Sequence, residues 1–341
     1  MVAERGTSDD ELRSAVERVA ADTSFSGVVR VDLGDDIILA AAYGDAHRAL
    51  RIPNTVDTRF GIASGLKSMT ALMVMSLVED RSLSRSTTAR SLLGGDLPLI
   101  DDEVTIEQLL AHRSGIGDYL DEDTEMDITD YLMPVPVQQL VNAEDFLAVL
   151  DGFPQKFRPG ERFSYCNGGY VVLAIVAERA AGLPYHDLVM QRVCEPAGMA
   201  DTGFFRSDEL PERTAIGYVL IDGSWRTNVF HLPVRGVGDG GIYSTAADVH
   251  SLWSALFAGE ILSADTVGEM VRPRSEVPEE SMRYGLGFGL EETGPAVQLT
   301  GWDAGVSFRS VHDPERAITS TVLSNTAEGA WPLARVIREY T

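Results

Sequence analysis

Apolar runs of strand length sit at the two ends of this 341-residue chain, and runs with helical spacing fill the stretch between them. Residues 26–33 and 37–42 flank Gly34-Asp35-Asp36 and read as a hairpin. Near the other end, runs at 285–291, 296–300, 305–311 and 317–324 are separated by turn-forming segments. A capping box over Ser8–Glu11 opens a helix to about residue 22, with Leu12, Val16 and Val19 on one face, and a last amphipathic stretch fills about 329–340. Between them, 64–80, 105–113, 143–151, 168–181, 185–194 and 245–258 carry helical periodicity. With no long linker and no internal repeat, the economical reading is an α+β fold. An antiparallel sheet is built from both termini and flanked by the terminal helices, with a mostly helical region inserted between its early and late strands. The expected division is a discontinuous sheet domain, 1–60 plus 280–341, and a mostly helical domain, 61–279, with the functional site expected at their interface.

Charge and motif content remove several function classes. The chain carries 28 Lys+Arg against 52 Asp+Glu, a net charge of −24, which excludes a nucleic-acid binder held by phosphate contacts. No apolar stretch approaches the roughly 18 residues needed to span a bilayer, and the first residues lack the apolar core of a signal peptide. A cytoplasmic protein with no membrane partner, monomeric or weakly self-associating, is expected. The two cysteines, Cys166 and Cys194, have no metal-site spacing, and the six histidines form no HExxH. No phosphate-binding glycine loop follows a strand. Neither a metal nor a cofactor is expected.

Positive charge comes almost entirely from arginine, so each of the two lysines, Lys67 and Lys156, is a rare object. Lys67 stands three residues after Ser64, where Gly61-Ile-Ala63 runs into an apolar helix. Side chains at i and i+3 meet on a helix, and the free N–H groups of a helix start can stabilise an oxyanion. The positive helix end and partial burial both favour the uncharged amine, which can accept the serine proton and make Ser64 a nucleophile. Arginine cannot serve in that role. The competing reading is a serine N-cap followed by a solvated surface lysine. About a hundred residues on, Tyr165-Cys166-Asn167 lies in a loop before another apolar helix. A tyrosine beside a lysine can be held toward phenolate as a general base, and an asparagine amide can position both the lysine and a substrate carbonyl.

With these segments the chain resembles the serine β-lactamase and penicillin-binding-protein-like hydrolases, in the branch of class C β-lactamases, D-aminopeptidases and family VIII esterases. The likeness spans roughly residues 10–340 and includes the segments 109–116, 195–204 and 240–249. It implies the β-lactamase-like fold, acylation of Ser64, an acid–base pair of Lys67 and Tyr165, and hydrolysis of the acyl-enzyme. The family's third motif, Lys-Thr-Gly or His-x-Gly on a strand edging the site, corresponds here to Leu299-Thr300-Gly301-Trp302. Gly301 still permits close approach, and the Trp302 N–H can join the Ser64 N–H as an oxyanion hole. Leu299, however, cannot attract a substrate carboxylate, which shifts the expected substrate toward a small neutral ester or amide.

Arg309, on the next strand, is the candidate replacement for that cation, and Tyr119 and Trp302 are candidate walls of an acyl pocket. His112 and His231 are candidates for proton transfer, Asp303 for shaping a turn, and Cys166 for packing. The expected function is a serine hydrolase acting through an acyl-Ser64 intermediate on an ester or amide. The alternatives are acyl transfer in small-molecule biosynthesis, β-lactamase activity, and a non-catalytic ligand-binding protein that retains the fold.

Overall fold

A computed structural model describes residues 2–122, 129 and 131–341. Helix α1 (Val2–Asp22) is followed by strands β1 (Gly27–Leu33) and β2 (Asp36–Tyr43), paired as the expected hairpin. The late strands are β3 (Ser275–Val277), β4 (Met282–Tyr284), β5 (Gly289–Glu291), β6 (Val297–Asp303), β7 (Val306–Asp313) and β8 (Ile318–Ser324). The eight strands form one antiparallel sheet in the order β2-β1-β8-β7-β6-β5-β4-β3. The β1–β8 pairing, Gly27 opposite Ser324 through Leu33 opposite Ile318, joins the two ends of the chain.

Strand alternation gives the sheet two apolar faces. Val29, Val31 and Val322 face one way and pack on Leu12 and Val16 of α1 and on Leu333 and Ile337 of the C-terminal helix α5 (Ala330–Arg338). Val28, Leu299, Phe308 and Leu323 face the other way, into a larger core shared with the helical region. At the centre of that region is α2 (Leu66–Glu79), in which every residue from Leu66 to Leu77 is buried, as a helix apolar all round must be. Helix α3 (Asn167–Ala181) lies beside it, and α4 (Ala246–Ala258) packs on the sheet, its Trp253 Nε1 donating to Ser310 Oγ at 2.9 Å.

Several local expectations are corrected. The first helix begins at Val2, so Ser8 lies within it and does not mark its start. The strand expected over 285–291 is shortened to β5 (Gly289–Glu291), because residues 285–288 leave the ladder and Gly287 (φ +84°) lies against α2; a Cβ there would stand 2.1 Å from that of Ala71. The helix expected over 143–151 is a 3-10 turn (Ala143–Phe146) followed by one helical turn, and 185–194 changes at Met190 from α-helix to a wider π turn.

Candidate active site

Three chain segments converge where the sheet meets the helical region. Ser64 occupies a 3-10 turn, Ala63–Gly65, that leads directly into α2. The N-cap position of α2 is Gly65 and no side chain caps the helix, so the N-cap reading of Ser64 does not apply. Ala63 holds φ +43°, a left-handed conformation that costs a non-glycine residue energy and keeps the turn tight. Strand β6 presses on this turn through Gly301, where a Cβ would lie 2.0 Å from the Ile62 carbonyl oxygen. The loop 236–241 closes the opposite side, and any residue but glycine at 238 would place its Cβ 2.0 Å from Tyr170 O.

Lys67, 2% exposed, directs Nζ to three oxygens: Ser64 Oγ at 2.8 Å, Asn167 Oδ1 at 2.8 Å and the Asp239 carbonyl at 2.7 Å. The amide oxygen and the carbonyl can only accept. An uncharged amine therefore donates its two hydrogens to them and turns its lone pair toward the serine hydroxyl; the ammonium donates to all three. Both protonation states are fully hydrogen-bonded, so a proton can pass between Ser64 and Lys67 without rearrangement.

Asn167 is the first residue of α3, and that helix start is fastened by Asp118. Its carboxylate accepts from the Asn167 N–H at 2.6 Å and the Gly168 N–H at 2.8 Å, while Asn167 Nδ2 donates to Leu120 O and Glu122 Oε1. Burial pushes the Asp118 carboxyl up to about 6 despite these bonds. Cys166 caps the same helix, its Sγ accepting from the Gly169 N–H at 3.3 Å, which is more than the packing role expected of it.

The Tyr165 ring centroid is 4.9 Å from Lys67 Nζ, and Tyr165 borders the same cavity as Ser64 and Lys67. Burial, reinforced by the charge of Glu122, holds its phenol well above the ordinary tyrosine range. The phenolate base expected from the sequence is thus disfavoured, and Tyr165 keeps its hydroxyl proton. His112 stacks on it with ring centroids 4.3 Å apart. Its Nδ1 accepts the Cys166 N–H, and burial followed by the Lys67 charge holds the ring neutral. His112 therefore packs and orients Tyr165.

Two cavities meet at Ser64, and Glu122 and Trp302 border both. The first is walled by Phe60, Tyr119, Phe205, Val237 and Tyr243 and includes Asn167, Asp239 and Asp303. Tyr119 OH donates to the Asp239 carboxylate, and His231 stands on the wall beside Leu232, in the cavity that neither Lys67 nor Tyr165 borders. Asp303 accepts from the Ala304 N–H, as in the expected turn, and burial raises its carboxyl to about 7. The second cavity holds Lys67, Tyr165, Glu280, Gln298, Leu299 and Thr300. Leu299 is 1% exposed and belongs to the core as much as to the cavity wall, and Trp302 is 41% exposed with Nε1 donating to Glu328.

The expectation that Arg309 supplies a cation is overturned. It pairs in register with Val322 on the α1/α5 face of the sheet, and its Nη2 donates to Glu291, which also binds Arg338. Among the described residues bordering either cavity, Lys67 is the only lysine or arginine. The sequence reading missed Asp118, Glu122, Asp239, Glu280 and Gln298. Asp239 alone carried a local signal, the close-packed glycines of Gly238-Asp239-Gly240.

Residues 12–339 match the Beta-lactamase family model. The chain belongs to that family. It is a serine hydrolase of the family's acyl-enzyme type. The penicillin binding protein from Bacillus halodurans superposes with a TM-score of 0.90 at 37% identity, covering 96% of this chain and 100% of that one. Penicillin-binding protein 4* of Bacillus subtilis is 29% identical over 335 residues, 93% of this chain and 72% of that protein. Esterase EstB of Burkholderia gladioli is 28% identical over 321 residues, 83% of this chain and 75% of that protein. The chain spans about half the length of the D-aminopeptidases it matches. No helix among the described residues is long and apolar enough to cross a membrane.

Proposed function

We propose that Ser64, Lys67, Tyr165 and Asn167 form the catalytic group of an enzyme that cleaves esters or amides of a small apolar acyl group. The observation that carries this reading is Lys67 Nζ, 2.8 Å from Ser64 Oγ with its two other directions occupied by obligate acceptors. Lys67 accepts the Ser64 proton as Oγ bonds to the substrate carbonyl carbon. The N–H groups of Ser64 and Trp302 take the oxyanion. As the carbonyl–leaving-group bond breaks, the proton passes through the Tyr165 hydroxyl to the departing atom. In the second half, water adds to the acyl carbon, gives its proton to Lys67, and Ser64 Oγ leaves with that proton restored.

Lys67 and Tyr165 border the second cavity, so the group that must be protonated departs there and the acyl chain occupies the first, aromatic-walled cavity. Among the described residues, a carboxylate beside the reacting carbonyl finds no arginine in either cavity to receive it, which favours esterase or amidase chemistry over β-lactam hydrolysis. The relatives named esterase and D-aminopeptidase support the same preference. The same reading sets the site between a sheet domain, 1–60 plus 280–341, and a mostly helical domain, 61–279, and the convergence of β6 and α2 at Ser64 supports it.

Incubation with p-nitrophenyl butyrate tests the reading. The expected result is a nitrophenol burst and an intact mass raised by one butyryl group, both abolished in Ser64→Ala. Turnover that survives in Ser64→Ala overturns the assignment, and nitrocefin hydrolysis as fast as ester cleavage overturns the substrate preference.

A further inference from the structure

The second cavity is lined with acceptors that the reaction leaves unused. Gln298 lies on β6 opposite Gly289 and is 6% exposed; its Oε1 is buried with no hydrogen-bond partner, and its Nε2 reaches only the Met282 thioether, at 3.4 Å. A buried amide oxygen without a protein partner is costly unless a ligand or a bound water supplies a donor. Glu122 and Glu280 border the same cavity, close enough for each to act on the Tyr165 phenol and for Glu122 to repel Glu280. The one lysine or arginine among the described residues there, Lys67, already has three partners within the protein. In place of a lysine or histidine at the start of the third motif stands Leu299, which contributes an apolar wall. A cavity with two carboxylates, an unsatisfied amide acceptor and an apolar side fits an alkylammonium group.

We infer that the leaving group of the natural substrate carries a positively charged nitrogen, held by Glu280, Glu122 and Gln298 in the second cavity. This rests on the hydrolase reading above and sharpens it. The absence of a receiving arginine disfavours anions but does not disfavour cations, so the neutral substrate expected from the sequence is replaced by one cationic on its departing side. An amine or amino alcohol that binds in the second cavity after the leaving group departs is also placed beside the acyl carbon as an alternative acceptor to water. The net charge of −24 draws cations toward the molecule in the same sense.

Two butyrate esters of equal shape separate the contributions: 3-(dimethylamino)propyl butyrate, protonated at neutral pH, and 4-methylpentyl butyrate. The expected result is a kcat/KM ratio of about tenfold or more in favour of the cationic ester, falling toward one in Glu280→Gln and, independently, in Gln298→Leu. The ratio is taken within each protein, so a general loss of activity does not mimic the effect. A ratio near one in the unaltered enzyme, or one unmoved by both substitutions, overturns the inference while leaving the hydrolase reading intact. Failure to cleave either ester or p-nitrophenyl butyrate overturns both.

Discussion

Lys67 is the residue on which the chemistry turns, and its surroundings explain why this arginine-rich chain keeps a lysine there. Three oxygens at 2.7–2.8 Å match the three positions of a tetrahedral nitrogen, and only an amine can give one of those positions to a lone pair. Arginine is larger, planar and permanently charged. Lys67→Arg is therefore expected to lower kcat for p-nitrophenyl butyrate by about 10²- to 10⁴-fold, the usual contribution of a positioned base. A loss below about tenfold shows that the proton goes elsewhere. Leu299 illustrates the opposite relation between residue and role: its identity excludes an electrostatic function, yet its burial among Val297, Phe308 and Leu323 gives it a packing reason to be apolar.

Among the elements, the start of α3 depends most on a group distant in sequence. Asp118 approaches it from a loop fifty residues earlier and takes the first two N–H groups, which holds Asn167 where its side chain meets Lys67. Asp118→Asn keeps one acceptor oxygen and turns the other into a donor, with an expected cost of about 1–3 kcal/mol. The pH dependence has a definite sign. Burial raises the folded-state carboxyl to about 6, above its ordinary value near 3.8, so the folded protein binds this proton more tightly than the unfolded chain. The group's contribution is thus fully present below about pH 4 and is lost as pH rises to 6. Thermal denaturation of both proteins across this range should show the advantage of the unaltered chain shrinking with rising pH. A constant difference rules out titration of Asp118 as its source.

At the scale of the molecule, one sheet separates two cores of unequal size, and the acidic surface surrounds both. Self-repulsion at a net charge of −24 opposes the compact state, and salt screens it. Raising NaCl from about 0.02 to about 0.3 M, over which the screening length falls several-fold, should raise Tm by differential scanning fluorimetry. An unchanged or lower Tm means that local ion pairs such as Arg179 with Glu144 and Asp96 outweigh the repulsion.

The amino-acid sequence by itself determined the α+β class, the sheet made from both chain ends, the central helix after Ser64 and the membership signalled by Ser64–Lys67 and Tyr165–Asn167. Those are consequences of apolar spacing and of residues close together in the chain, where helix and strand periodicity carry the information. Tertiary structure decided the protonation preference of Tyr165, the remote position of Arg309, the departure of residues 285–288 from the sheet and the acidic lining of the second cavity. Each depends on burial or on contacts between residues far apart in sequence. Asp118, Asp239 and Gln298 are ordinary residues in the chain and become informative only when folding removes water from around them and leaves their bonds to be counted.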